Sequence, residues 1–174
     1  MPSVMPDDLE KIAVGLLIGA GASEDEAQVV SRLSIAANLA GHDSHGIIQI
    51  PSYIDRVNRG HIVPGAEYEV VKDTPTTTVV DGHWGFGYVV TERLMRQTIE
   101  KAKLQNIAAA TVYRQSHIGR LGAYPLIAVE AGMIGMITAD SGRSSKAVVP
   151  FGGRERRLGT NPISIAMPSN LEGP

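Results

Sequence analysis

The chain has 174 residues, 43% hydrophobic and 20% charged, with a net charge of −2 and no cysteine. This length holds one ordinary domain, or a small helical lobe beside a sheet domain. The composition excludes disulfides, thiolate chemistry and the broad basic field that nucleic acid or an anionic membrane surface would require.

Asp7 to Ile18 reads as a helix with acidic residues in its first turn, where they favour the dipole, and Gly19 and Gly21 end it. Its apolar run, Ile12 to Ala20, is far shorter than the ~18 residues of a membrane span. The preceding Asp7, Asp8 and Glu10 have the wrong sign for a secretion signal, so a cytoplasmic protein without membrane segments is expected. Ser23-Glu24-Asp25-Glu26 has the capping-box form and opens a second helix, with Val30, Leu33 and Ala37 on one face, which Gly41 stops. Ile50, Tyr53, Ile54 and Val57 repeat at helical spacing and predict a third helix, with Pro51 in its first turn and Gly60 as its end.

From about Glu67 the pattern changes. Tyr68 to Val71 and Thr77 to Val80 are rich in β-branched residues and predict strands, with Asp81-Gly82 as a turn and a glycine-rich hairpin over residues 82–87. Val89 to Leu104 predicts a helix, Ile107 to Tyr113 a buried strand, Leu121 to Ala131 a helix and Met133 to Ala139 a strand. This alternation argues an α/β layer with at least partly parallel pairing. Val148-Val149 and Ile163 to Met167 are the last strand candidates, and a sheet stopping there is expected to leave an open edge.

Two Ser-His pairs stand out. Gly41-His42-Asp43-Ser44-His45-Gly46 sets a hydroxyl, a carboxylate and two imidazoles within four positions. Imidazole titrates near neutral pH, so a Ser-His pair can deliver a proton while the hydroxyl orients a substrate oxygen. The plainer expectation is that Ser44 caps a helix starting near Gly46, and that His42 and Asp43 hydrogen-bond within the loop. Ser116-His117 falls after a predicted strand, where α/β proteins tend to bind ligands. Zinc usually takes three or four protein ligands and His61 is the one further local candidate beside His42 and His45, so no metal is expected, and a small metal protein using these three is a third reading. Arg154-Glu155-Arg156-Arg157 reads as a solvated basic face. No Gly-x-Gly-x-x-Gly stands between a strand and a helix, so the usual dinucleotide fingerprint is absent.

Gly41 to Gly46, Ser116-His117-Ile118-Gly119, Val149-Pro150-Phe151-Gly152-Gly153 and Gly159-Thr160-Asn161-Pro162 occur in an order and spacing that resemble the malate/L-lactate dehydrogenase (L-sulfolactate dehydrogenase-like) family. The resemblance runs from about Asp8 to the last residue. It leans toward the subgroup like hydroxycarboxylate dehydrogenase B. It implies an α/β fold, with an N-terminal helical lobe over residues 1–66 and a mixed-sheet cofactor-binding lobe over 67–174 that is incomplete. It also implies an oxidoreductase of the NAD(P)-dependent 2-hydroxyacid dehydrogenase type, interconverting 2-oxo and 2-hydroxy acids by hydride transfer, with NAD or NADP as cofactor and a homodimer as assembly.

Carried over by position, His45 would be the acid/base, oriented by Ser44. In some members the imidazole at the position of His117 is named as the proton acceptor instead. His117, Ile118, Gly119, Arg120 and Leu121 would line the cofactor pocket, Ser141 would contact the cofactor, and Thr160 would touch substrate or nicotinamide. Many members have arginine where this chain has Gln49, expected on the same helix face as His45. An amide cannot supply that charge to a substrate carboxylate, and Arg120 is expected to substitute. Family members continue well past residue 174 with a catalytic-site aspartate and much of the dimer surface. The chain is therefore read as an N-terminal portion, inactive by itself. The competing expectation is a truncated, non-catalytic dimerisation or ligand-binding module of the same fold.

Overall fold

The computed structural model describes residues 4–140 and 146–171. The chain divides into two compact units, Met1–Arg120 and Leu121–Pro174. The change from helices to strands near residue 66 lies inside the first unit, not between units.

The first unit begins with α1 (Pro6–Gly19) and α2 (Glu24–Leu39), which pack side by side. Ala13 and Leu17 of α1 are buried, as are Ala27, Val30 and Ala37 of α2. The capping box forms as its spacing predicts: Ser23 Oγ accepts from the Glu26 backbone at 3.2 Å, and Glu26 Oε2 accepts from the Ser23 N–H at 2.9 Å. Two single 3-10 turns, Asp43–His45 and Ile47–Gln49, then lead into α3 (Ile50–Asn58), whose first turn accommodates Pro51.

Strands β1 (Glu69–Asp73) and β2 (Thr77–Asp81) pair antiparallel, with a register shift between Val70 and Lys72. Their connection is at Thr74 to Thr76, where Thr74 Oγ1 accepts from the Thr77 N–H at 2.9 Å to close it. The chain then crosses through α4 (Gly87–Gln105) to β3 (Ala109–Tyr113), which lies parallel to β2 with Thr77 opposite Ala109 and Asp81 opposite Tyr113. The hairpin expected over residues 82–87 is thus a strand-to-helix crossover. His83 and Trp84 both adopt positive φ in it, which sequence pattern does not reveal in residues other than glycine. Strand β3 alternates exposed and half-buried residues rather than being fully buried, because only part of its surface is covered.

The second unit comprises α5 (Ala123–Glu130) packed on the antiparallel pair β4 (Gly135–Thr138) and β5 (Ile163–Ala166). Val148 forms only an isolated bridge to Leu158 and not a strand. Arg154 and Arg156 are exposed, and Arg157 pairs with Glu155 on that solvated surface.

Candidate functional site

Strands β2 and β3 run parallel, so the segments leaving their carboxyl ends lie together. They are residues 82–86 and 114–120. Gly82 N–H donates to Tyr113 O at 2.8 Å and Trp84 N–H to Arg114 O at 2.6 Å. Asp81, 3% exposed, is held by the Arg114 guanidinium and accepts from the His83 N–H at 3.1 Å. The Arg114 hydrogen bond keeps the Asp81 carboxyl down at about 2, below its ordinary range. This cluster sets the geometry from which Ser116 and His117 project.

Ser116 is a structural fastener. Its Oγ accepts from the Gly87 N–H, the first of α4, at 2.8 Å and donates to Gly85 O at 2.8 Å. A Cβ at Gly87 would collide with the backbone of Ser116 and His117, so glycine there lets this segment lie on the helix start. Gly119 has φ +68°, and a side chain would occupy the space of the Tyr88 ring. His117 is therefore held between two close backbone approaches.

The other imidazole comes from the turn after α2. Asn38, at the end of α2, accepts from the Ile47 N–H at 2.8 Å and donates to Asp43 Oδ1 at 2.6 Å. Gln49 donates to Ser44 O at 2.8 Å. Ser44 does not cap a helix; its Oγ lies 2.9 Å from His45 Nδ1, and Asn38 satisfies the orphan N–H at Ile47 instead. The His42 and Gln49 side chains do not cap the turns and helix they precede. His45 and Gln49 sit in separate 3-10 turns rather than on one helix face, because the chain needs two tight turns to enter α3.

The two imidazoles meet. His45 and His117 have ring centroids 5.5 Å apart at an interplanar angle of 30°. Tyr53 of α3 and Tyr88 of α4, each 1% exposed, complete the cluster. The Tyr53 hydroxyl is 2.8 Å from His117 Nδ1 and 3.0 Å from the Tyr88 hydroxyl, and the Tyr88 hydroxyl reaches His45 O at 3.4 Å. Burial, with the nearby His45 and Arg56 adding to it, lowers the His117 imidazole to about 4. Burial and His42 also lower His45 from its ordinary value. Two imidazoles this close resist carrying two protons.

Of the residues singled out by motif, Ser44, His45, Gln49, His117, Ile118, Gly119 and Arg120 belong to the first unit. Arg120 Nε is buried without a hydrogen-bond partner. Leu121 and Thr160 belong to the second unit, where Leu121 is buried and Thr160 exposed. Ser141 lies outside the described residues. Among the described residues no group of three or more His, Asp or Glu side chains is placed to hold a metal ion, and His42, His45 and His61 form none. No described helix is long and apolar enough to cross a membrane. Tyr53 and Tyr88 carry no motif. Helical spacing marks Tyr53 only as a core position, and nothing local distinguishes a buried tyrosine whose hydroxyl has a partner.

Residues 4–174 match the family model described as malate/L-lactate dehydrogenase. The chain is 35% identical to the L-sulfolactate dehydrogenase of Methanocaldococcus jannaschii over 165 residues, covering 95% of this chain and 47% of that protein. It is 40% identical to hydroxycarboxylate dehydrogenase B of Escherichia coli K12 over 148 residues, covering 85% and 41%. The solved malate dehydrogenase of Pyrococcus horikoshii superimposes with a TM-score of 0.93 at 34% identity, covering 98% of this chain and 48% of that one. The chain thus spans about half the length of the curated relatives it matches. With the α/β architecture shared and the match running through nearly every residue, the chain belongs to the malate/L-lactate dehydrogenase family.

Proposed function

We propose that this chain supplies the proton-handling centre of a nicotinamide-dependent enzyme that interconverts 2-oxo and 2-hydroxy acids. The observation that carries the reading is the meeting of His45 and His117, distant in sequence, at the carboxyl end of the parallel strand pair. Relatives named as sulfolactate, malate and hydroxycarboxylate dehydrogenases support the substrate class.

The residues present fit such ligands. Arg120 brings a buried N–H that lacks a partner, three positions beyond His117. Leaving such a group unmatched costs about 1–3 kcal/mol, and a carboxylate or phosphate oxygen would offset that. NAD or NADP, when bound, supplies or takes the hydride at substrate C2. His45, with Nδ1 engaged by Ser44, moves the accompanying proton at the substrate oxygen. By the family pattern, His117, Ile118, Gly119 and Arg120 would line the site that holds the cofactor.

Trp84, the only tryptophan, lies in the crossover bonded to Arg114 and is a built-in reporter. Titrating the protein with NADH or NADPH is expected to transfer Trp84 fluorescence to bound nicotinamide. In the enzyme carrying this chain, His45→Ala is expected to lower kcat for 2-oxo acid reduction by roughly 10²–10⁴-fold with cofactor affinity unchanged. An unaltered kcat would remove His45 from the chemistry.

A further inference from the structure

We infer that Tyr53, backed by Tyr88, is a positioning residue that holds His117 as a neutral imidazole with its proton on Nε2, making His117 a hydrogen-bond donor and leaving proton transfer to His45. This assignment rests on the reading of the two imidazoles as one reaction centre, and it settles which of them moves the proton.

The argument follows the hydrogens. A backbone N–H can only donate, and the Gly119 N–H points at His117 Nδ1 at 3.4 Å. Nδ1 must then accept, so the Tyr53 hydroxyl, 2.8 Å away, donates to it. Tyr53 has spent its only proton, so its oxygen accepts from the Tyr88 hydroxyl at 3.0 Å, a shorter contact than the 3.4 Å to His45 O, the other acceptor within reach of the Tyr88 proton. The result is one directed chain, Tyr88 to Tyr53 to His117. Burial raises the Tyr88 phenol above its ordinary value, which keeps that donor protonated. Both rings are almost fully excluded from solvent, so water does not compete for these bonds.

The groups facing His117 are His45 from the first 3-10 turn, Arg56 and Tyr53 from α3, and Tyr88 from α4. None is an anion that would favour an imidazolium. A neutral ring with Nδ1 accepting cannot take a proton at Nε2, where one already sits. It can donate Nε2–H to a substrate oxygen as charge develops there, which is the task of an oxyanion donor. His45 differs. Its Nδ1 faces a hydroxyl that can donate or accept, so its ring can change protonation state without losing its partner.

The test is nitrogen NMR of protein carrying isotope-labelled histidine. Five histidines are few enough to assign by single His→Gln variants. Wild-type protein at neutral pH is expected to show His117 neutral, with its proton on Nε2 and a hydrogen-bonded Nδ1. In Tyr53→Phe the Nδ1 resonance should move toward that of an unbonded lone pair, and the ring's apparent pKa should rise, because a bond favouring the neutral form is gone. Tyr88→Phe should produce a smaller shift in the same direction. A proton on Nδ1 in the wild type, or a His117 spectrum unchanged in a folded Tyr53→Phe, overturns the assignment. The wild-type spectrum decides even if neither variant folds. Absence of nicotinamide binding with this spectrum intact would remove the proposed function and leave the tautomer assignment standing.

Discussion

A buried imidazole is defined by what its two nitrogens touch and by how much water reaches them. His117 has a phenol on one nitrogen and little water, and burial holds its ring neutral at physiological pH. Gln49 shows the same logic for an amide. Its donor is committed to Ser44 O, so it braces the Ser44-His45 turn and carries no charge for a substrate carboxylate. Arg120 has the opposite character, a charge with its Nε unmatched. Arg120→Met in the enzyme carrying this chain is therefore expected to raise KM for the 2-oxo acid by roughly 10–100-fold, the worth of a charge-assisted hydrogen bond. Steady-state kinetics check this, and an unchanged KM would leave Arg120 without a substrate role.

The start of α2 shows how one side chain can serve two levels of structure. Glu26 is 5% exposed; Oε2 completes the capping box with Ser23, and Oε1 accepts from the Gly65 N–H at 2.8 Å. It thereby ties the helix start to the loop before β1. Ser23→Ala loses one cap bond and should cost about 1 kcal/mol of stability. Glu26→Ala leaves two backbone donors without their acceptor and should cost about 2 kcal/mol or more. Denaturant unfolding of the two variants checks the order, and equal losses would mean that the Gly65 bond contributes nothing. The start of α4 follows another rule, because no side chain of its own caps it and Ser116 does so from across the crossover. That arrangement explains why the strand-exit segment and the helix start form one piece.

For the molecule as a whole, the lowered imidazoles link stability to pH. His117 is at about 4 when folded against 6.5 as a free side chain, so the unfolded chain binds more protons between those values. The contribution is fully present above pH 6.5 and is lost as pH falls toward about 4. Its size is about 3 kcal/mol at most, and His45 adds to it with the same sign. Unfolding free energy measured across this window should fall with acidity, and His117→Gln should flatten the slope. A slope unchanged in that variant would show that His117 is not buried as a neutral ring.

The amino-acid sequence by itself determined the capping box at Ser23, the placement of Pro51 in a first turn, the order of helices and strands and the four short motifs that identify the family. Those features depend on neighbours three or four positions apart, or on residue types in order, and both are written along the chain. Tertiary structure alone decided that residues 82–87 cross to a helix, that Asn38 rather than Ser44 satisfies the turn, and that two buried phenols stand beside the paired imidazoles. Those outcomes arise where the ends of parallel strands bring distant segments within hydrogen-bond reach. No local periodicity encodes that distance, because it is set by packing of the whole unit around Tyr53, Tyr88 and their neighbours.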